Sequence, residues 1–192
     1  MQPADLRSEH GTLDSVYLTA AQLATRVREL GAEIARDYAE LDPLLVAPLK
    51  SSVVFLVDLA RALTIPHTLD VVELAPYAHD RGGGVRLLKD VDVPLAGRHV
   101  LLVEDVVDTG LTLHFLVRTF ALRKPASLAA VTLLDRPYRR LVEDIPLRYV
   151  GFTVPDELFA GYGLGLDERW RALPDLHVVR AAQLPGAASE AA

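Results

Sequence analysis

The sequence predicts an α/β fold: a parallel sheet flanked by helices, with a small hood over the carboxyl ends of the strands. Three observations predict it. Short β-branched and Leu-rich runs alternate with segments of helical periodicity along most of the 192 residues, the pattern of helices packed on both faces of a parallel sheet. The run His99 to Val103 is apolar at every position after His99, as suits a strand buried on both faces. It is followed by two carboxylates, Glu104 and Asp105, and then by the loop Asp108-Thr109-Gly110-Leu111-Thr112, after which Leu113 to Leu122 resumes at helical spacing. Strand, acidic pair, loop and helix in that order describe a ligand site at the carboxyl end of a parallel strand.

The other elements follow in chain order. Thr19-Ala20-Ala21-Gln22 has capping-box form, and Leu23, Val27, Leu30 and Ile34 recur at helical spacing, so 20–40 reads as an amphipathic helix. Leu44 to Leu49 reads as a buried strand, Lys50-Ser51-Ser52 as a polar turn, and Val53 to Leu63 as an apolar helix. Thr68 to Pro76 is a strand, 77–84 a polar glycine-rich loop, and Val85 to Asp90 the returning strand of a hairpin. Ser127 to Leu134 and Tyr149 to Val154 are further strands, Asp167 to Leu173 one or two helical turns, and His177 to Arg180 a short last strand. The hood is assigned to about 1–18 and 136–180 within one domain, 1–182, and the small polar segment 183–192 is expected to fray.

Composition narrows the function. The formal net charge of −6 argues against a general nucleic-acid binder. The absence of Cys removes disulfides and thiolate metal sites. No apolar run approaches a membrane span, and the polar first residues, Met1 to Asp14, are unlike a signal peptide, so a cytoplasmic setting is the expectation. The central loop sets backbone N–H groups and hydroxyls at a helix N-terminus, which suits a phosphate monoester. The acidic pair suits sugar hydroxyls and, through water, a divalent cation. Together they ask for a ligand carrying a phosphate, a diol and a metal, which describes 5-phosphoribosyl 1-pyrophosphate (PRPP).

The stretch Val100 to Thr112, with its Val-Glu-Asp-x-x-Asp-Thr-Gly-Leu-Thr core, resembles the PRPP motif of type I phosphoribosyltransferases in the hypoxanthine-guanine form. Tyr149-Val150-Gly151-Phe152, Pro155-Asp156, Gly161-Tyr162 and Trp170-Arg171-Ala172-Leu173 extend the likeness over about 13–180. The resemblance implies transfer of the phosphoribosyl group to a 6-oxopurine in purine salvage, giving a nucleoside monophosphate and pyrophosphate. It implies Mg²⁺ as cofactor, no nucleic-acid partner, and a homodimer or homotetramer.

Residue by residue, it implies that Glu104 and Asp105 hold ribose and metal, and that Val107 with Asp108, Thr109, Gly110, Leu111 and Thr112 holds the 5-phosphate. Asp108 would act on a purine proton as the catalytic group. Leu49, Lys50, Ser51 and Arg171 would contact pyrophosphate, although a lone Lys after a strand is ordinarily a surface residue. Tyr77, Arg81 and Gly82 would belong to a lid, which composition alone reads as a surface loop. The base side departs from the family: Arg136 stands for a Lys, Leu158 for a stacking aromatic with Phe159 next to it, and Gly165 for an Asp with Asp167 two residues on. Ser51 likewise stands for a Gly. These departures leave xanthine or another purine as a variant. A PRPP- or nucleotide-sensing regulator of the same fold is the competing reading; it ordinarily carries a basic face or an added domain, and this chain has no room for one.

Overall fold

The computed structural model describes residues 7–76 and 85–181. Its large sheet has six strands in the order β4-β3-β2-β5-β6-β7: β2 (Leu44–Pro48), β3 (Thr68–Pro76), β4 (Val85–Lys89), β5 (His99–Val107), β6 (Ser127–Asp135) and β7 (Leu147–Thr153). All neighbours are parallel except β3 and β4, which form an antiparallel hairpin at one edge. The connections carry α1 (Ala20–Asp37), which precedes β2, and α2 (Val53–Ala62) and α3 (Leu111–Ala121), which follow β2 and β5. α1 begins with the expected capping box: the Thr19 hydroxyl accepts from Gln22 N–H, and the Gln22 side chain accepts from Thr19 N–H.

Side-chain alternation assigns the two faces. Leu45 and Ala47 of β2 and Leu101 and Val103 of β5 pack with Leu23, Val27, Leu30 and Ile34 of α1 and Phe55 and Leu59 of α2. Leu44, Val46, Val100 and Leu102 pack on the other side with Leu113, Leu116 and Phe120 of α3. A strand with apolar residues at every position is therefore buried twice over, as the continuous run His99 to Val103 implied. Gly31 of α1 lies where a Cβ would come within 2.8 Å of Ala62 Cβ, so the glycine that weakens the helix also lets α1 and α2 approach.

The second sheet is antiparallel, in the order β1-β9-β8, from β1 (Gly11–Leu18), β8 (Leu158–Ala160) and β9 (Leu176–Ala181). Neither β1 nor β8 was expected as a strand. The hood is narrower than the 136–180 expected, because β7 pairs with β6 and closes the large sheet. The helical turns expected for Asp167 to Leu173 are absent. Asp167, Glu168 and Trp170 take φ of 51, 60 and 68°, left-handed backbone that a right-handed helix does not accept. Among the described residues no helix is long and apolar enough to cross a membrane. The segment 183–192, expected to fray, and the lid residues Tyr77, Arg81 and Gly82 lie outside the described residues.

Candidate active site

β5 does not stop before the acidic pair, as the sequence suggested, but runs through it to Val107. Successive strand residues point to opposite faces, so Glu104 shares the side of Val100 and Leu102, and Asp105 that of Leu101 and Val103. Glu104 lines a cavity of about 230 Å³ together with Val107, Asp108, Thr109, Gly110 and Thr112. Asp105 faces α2: its Oδ1 accepts from the Ser52 hydroxyl at 3.0 Å, and its backbone N–H donates to Ser52 Oγ at 3.2 Å. Ser52 sits at the N-cap of α2 yet makes no capping bond with its side chain; its hydroxyl is spent on Asp105. The sequence placed Ser52 only in the polar turn Lys50-Ser51-Ser52, with no sign of this contact.

Both carboxylates are buried, with 5% and 4% of the residue exposed. Burial pushes the Glu104 carboxyl well above its usual range, and the Asp105 charge adds to the effect. Burial raises Asp105 too, partly offset by hydrogen bonds from Ser51 and Ser52. Glu104 Oε1 has no hydrogen-bond partner. A buried carboxylate oxygen left unpaired is costly and marks where a ligand hydroxyl or a cation would be worth most.

The loop after β5 closes on Gly110, whose φ of 81° puts it in the left-handed region. A Cβ there would meet Arg140 Cδ and the Val142 carbonyl, each at 3.2 Å. The N-cap Gly110 has no side chain to offer α3, and Leu111 N–H makes only a long 3.4 Å contact to Thr109 Oγ1, an arrangement an anion at the helix N-terminus can replace. The segment after β6 clamps the loop from outside, Leu141 N–H donating to the Thr109 carbonyl at 2.9 Å.

On the far side of Asp105, the Leu49–Lys50 peptide is cis and Ser51 is not among the described residues with positive φ, so the place where the family has Gly accepts a Ser. The glycine need falls on Gly163 instead, where φ is 98° and a Cβ would lie 2.3 Å from the Ser51 carbonyl oxygen. Through this approach the hood segment rests on the turn after β2. The two cations assigned to pyrophosphate meet at one carboxylate: Lys50 Nζ donates to Glu168 Oε2 at 2.9 Å, and Arg171 Nη2 to Glu168 Oε1 at 3.0 Å. Lys50 first and Arg171 second hold the Glu168 carboxyl below its usual range. Arg171 Nη1 also donates to the Gly163 carbonyl.

The base side is rearranged. Arg136 lies between two carboxylates, its Nη2 donating to Asp156 Oδ1 and its Nη1 3.6 Å from Asp108 Oδ2. Arg139 reaches the same two groups. Neither Arg139 nor Asp156 was singled out from the sequence as a site residue. Phe159 does not stand in for the missing aromatic. It is 5% exposed and its ring packs 4.8 Å from that of Tyr17, whereas Leu158, on the opposite side of β8, is 40% exposed. Gly165 has no room for the family's Asp, since a Cβ would meet the Arg169 carbonyl and Arg171 Cγ, each at 2.8 Å. Asp167 does not replace it: its two oxygens accept from His10, at 2.6 Å to Nδ1 and 3.0 Å to the backbone N–H, which holds its pKa at about 2.

Known proteins are similar to this chain over most of its length. The model of the phosphoribosyl transferase domain matches residues 15–168. The hypoxanthine-guanine phosphoribosyltransferase of Mycobacterium avium is 43% identical over 180 residues, covering 90% of this chain and 87% of its own. That of Bacillus subtilis is 37% identical over 172 residues, covering 88% and 95%. A crystal structure of a hypoxanthine-guanine phosphoribosyltransferase from Bacillus anthracis, with HEPES in the active site, superposes with a TM-score of 0.82 at 40% identity, covering 88% of this chain and 98% of that one. With a PRPP motif at the carboxyl end of β5 and relatives matched over nearly their whole length, this chain belongs to the phosphoribosyltransferase family, in its hypoxanthine-guanine branch.

Proposed function

We propose that the chain transfers the 5-phosphoribosyl group of PRPP to a ring nitrogen of hypoxanthine or guanine, releasing pyrophosphate, as a purine-salvage enzyme. The observation that carries this reading is the buried, unpartnered Glu104 oxygen in one cavity with the Thr109 to Thr112 loop. Ribose hydroxyls can satisfy that oxygen while the loop's N–H groups take the 5-phosphate. C1 is then fixed between two anchored ends of the same molecule, which lowers the entropic part of the barrier. Asp108 Oδ1, also buried and without a partner, is the acceptor for a purine proton. Lys50 and Arg171 take the leaving pyrophosphate, which has to displace the Glu168 carboxylate from between them.

Mg²⁺ fits this donor set. No group of three His, Cys, Asp or Glu side chains capable of holding a metal is found among the described residues, so an all-protein cage is not what the site offers. Glu104, facing the phosphate loop with a buried unpartnered oxygen, matches the way Mg²⁺ is held by one or two carboxylates plus phosphate oxygens and water, and Asp105, on the opposite face of β5 and bonded to Ser52, would join that set only through water. When bound, the ion would neutralise charge developing on pyrophosphate. Assembly as a homodimer or homotetramer and a cytoplasmic setting accompany the proposal on family grounds, the first testable by light scattering.

The deciding experiment incubates the full chain with labelled PRPP, Mg²⁺ and hypoxanthine, guanine, xanthine or adenine. Nucleotide and pyrophosphate should form in equal amounts with hypoxanthine and guanine. Binding of PRPP without turnover on any base would overturn the reading in favour of a sensor.

A further inference from the structure

Asp156, just after β7, accepts two guanidinium N–H groups at a single oxygen. Arg136 Nη2 donates to its Oδ1 at 2.5 Å and Arg139 Nε at 2.7 Å. The Arg136 side chain is 11% exposed and that of Arg139 51%, so Arg136 is the one enclosed by the protein. Arg136 Nε is buried without a partner, and Nη1, at 3.6 Å from Asp108 Oδ2, is too distant for a hydrogen bond. Among these contacts, the one to Asp156 is therefore the hydrogen bond that orients the guanidinium plane. With Nη2 tied down, the hydrogens on Nη1 remain uncommitted, beside an Asp108 whose Oδ1 is buried and also uncommitted.

We propose that Asp156 is a positioning residue for base selection: it locks the Arg136 fork so that a donor, Nη1, and an acceptor, the Asp108 carboxylate, stand side by side. That pair complements a 6-oxo group next to a ring N–H. It opposes a 6-amino group, which would set donor against donor and leave buried polar groups unpaired. The proposal rests on Arg136 being the base-facing donor. Arg139, more exposed and sharing the same oxygen, is a second and weaker strut. A planar, five-donor guanidinium needs such an anchor because it can be mis-aimed in a way a compact ammonium cannot.

Steady-state kinetics on the full chain test this. Asp156→Asn should raise the KM for hypoxanthine and guanine about tenfold, the worth of one charge-assisted hydrogen bond. It should also lower the preference for 6-oxopurines over adenine, while the KM for PRPP stays within about twofold, since no phosphate-loop or pyrophosphate contact changes. Asp156→Glu, which keeps the carboxylate, should recover part of the loss. In an Arg136→Ala background the same Asp156→Asn change should move the base KM by less than about twofold, because its effect passes through Arg136. Equal losses in both backgrounds, or a PRPP KM that rises with the base KM, would overturn the proposal and mark Asp156 as a structural residue. Arg136→Ala without effect on any base KM would overturn the base-facing reading of Arg136 and this inference together. An effective Arg136→Ala with an ineffective Asp156→Asn would overturn this inference alone.

Discussion

The PRPP side of the site and its base side are built by different means. The first is one continuous piece of chain: β5, the loop through Gly110 and the start of α3. Its ligand groups are largely backbone N–H groups and two carboxylates fixed on a buried strand. The second is assembled from Arg136 after β6, Asp156 after β7, Leu158 on β8 and Gly165 beyond it, held by side-chain contacts between separate segments such as that of Arg136 with Asp156, 20 residues away. A site made of contiguous backbone constrains a run of residues at once, so substitutions there are few. A site made of separate side chains can exchange a Lys for an Arg if a neighbour supplies an anchor, and here Asp156 does.

The largest effect expected along this divide is at Asp108, which belongs to the PRPP motif by sequence and to the base side by contacts, 3.6 Å from Arg136 and 3.9 Å from Arg139. Asp108→Asn should cut turnover by about a hundredfold or more while the KM for PRPP changes little. A KM for PRPP that climbs as far as turnover falls would return Asp108 to the phosphate side and erase the distinction.

Next comes the contact that seats the hood on the pyrophosphate turn. Gly163→Ala places a Cβ 2.3 Å from the Ser51 carbonyl at a φ of 98°. Denaturant unfolding should show a loss of about 2–3 kcal/mol, and the KM for pyrophosphate in the reverse direction should rise because Lys50 and Ser51 shift. Unchanged stability would mean that the hood is only loosely seated there.

The same divide governs what was legible. The large sheet could be read from apolar runs because both its faces are buried, and Leu44, Leu45, Val46 and Ala47 all lie within the core. β1 does not keep a period of two: its register with β9 shifts between Leu13 and Val16 and again between Val16 and Leu18, leaving Leu13 and Leu18 buried but Val16 and Tyr17 exposed, and at three residues β8 is too short for any period to show. Glu104 and Asp105 looked like a strand end because buried charge is rare inside strands, yet β5 continues through both to Val107. Ser52, Asp156 and Arg139 were invisible since each acts through a partner distant in sequence: Ser52 through Asp105, 53 residues away.

Glu104 also gives a pH test of whether the PRPP side is optimised for ligand at the expense of the fold. Its carboxyl is raised from an ordinary value of 4.5 by burial and by Asp105, so the folded protein holds this proton more tightly than the unfolded chain. Stability is therefore fully present below that ordinary value and falls as pH rises through the raised one. Glu104→Gln removes the penalty. Thermal unfolding at pH 8 should show the variant more stable than the parent, the difference shrinking toward pH 4.5, while binding of PRPP with Mg²⁺ is lost. A variant less stable than the parent at pH 8 would show that Glu104 is already compensated within the fold.

The smallest expected change probes the base side by repairing it. Leu158 occupies the place of the family's stacking aromatic and is 40% exposed, so a larger ring there meets open space and not a packed wall. It pairs across the hood sheet with Val179, a contact that a Phe at 158 keeps. Phe159 cannot supply the ring without leaving Tyr17 and the core. Leu158→Phe should therefore lower the KM for hypoxanthine and guanine by about fivefold, corresponding to roughly 1 kcal/mol of stacking. Stacking does not discriminate between 6-oxo and 6-amino purines, so selectivity against adenine should not change. No phosphate-loop residue changes, so the KM for PRPP should not change either. Added to Asp156→Asn, it should improve base affinity by the same factor as in the parent, since the two act on different parts of the base. If it leaves every base KM where it was, Leu158 does not face the purine and the base stacks on another element. If it helps only in the presence of Asp156, stacking and the Arg136 fork are one coupled device.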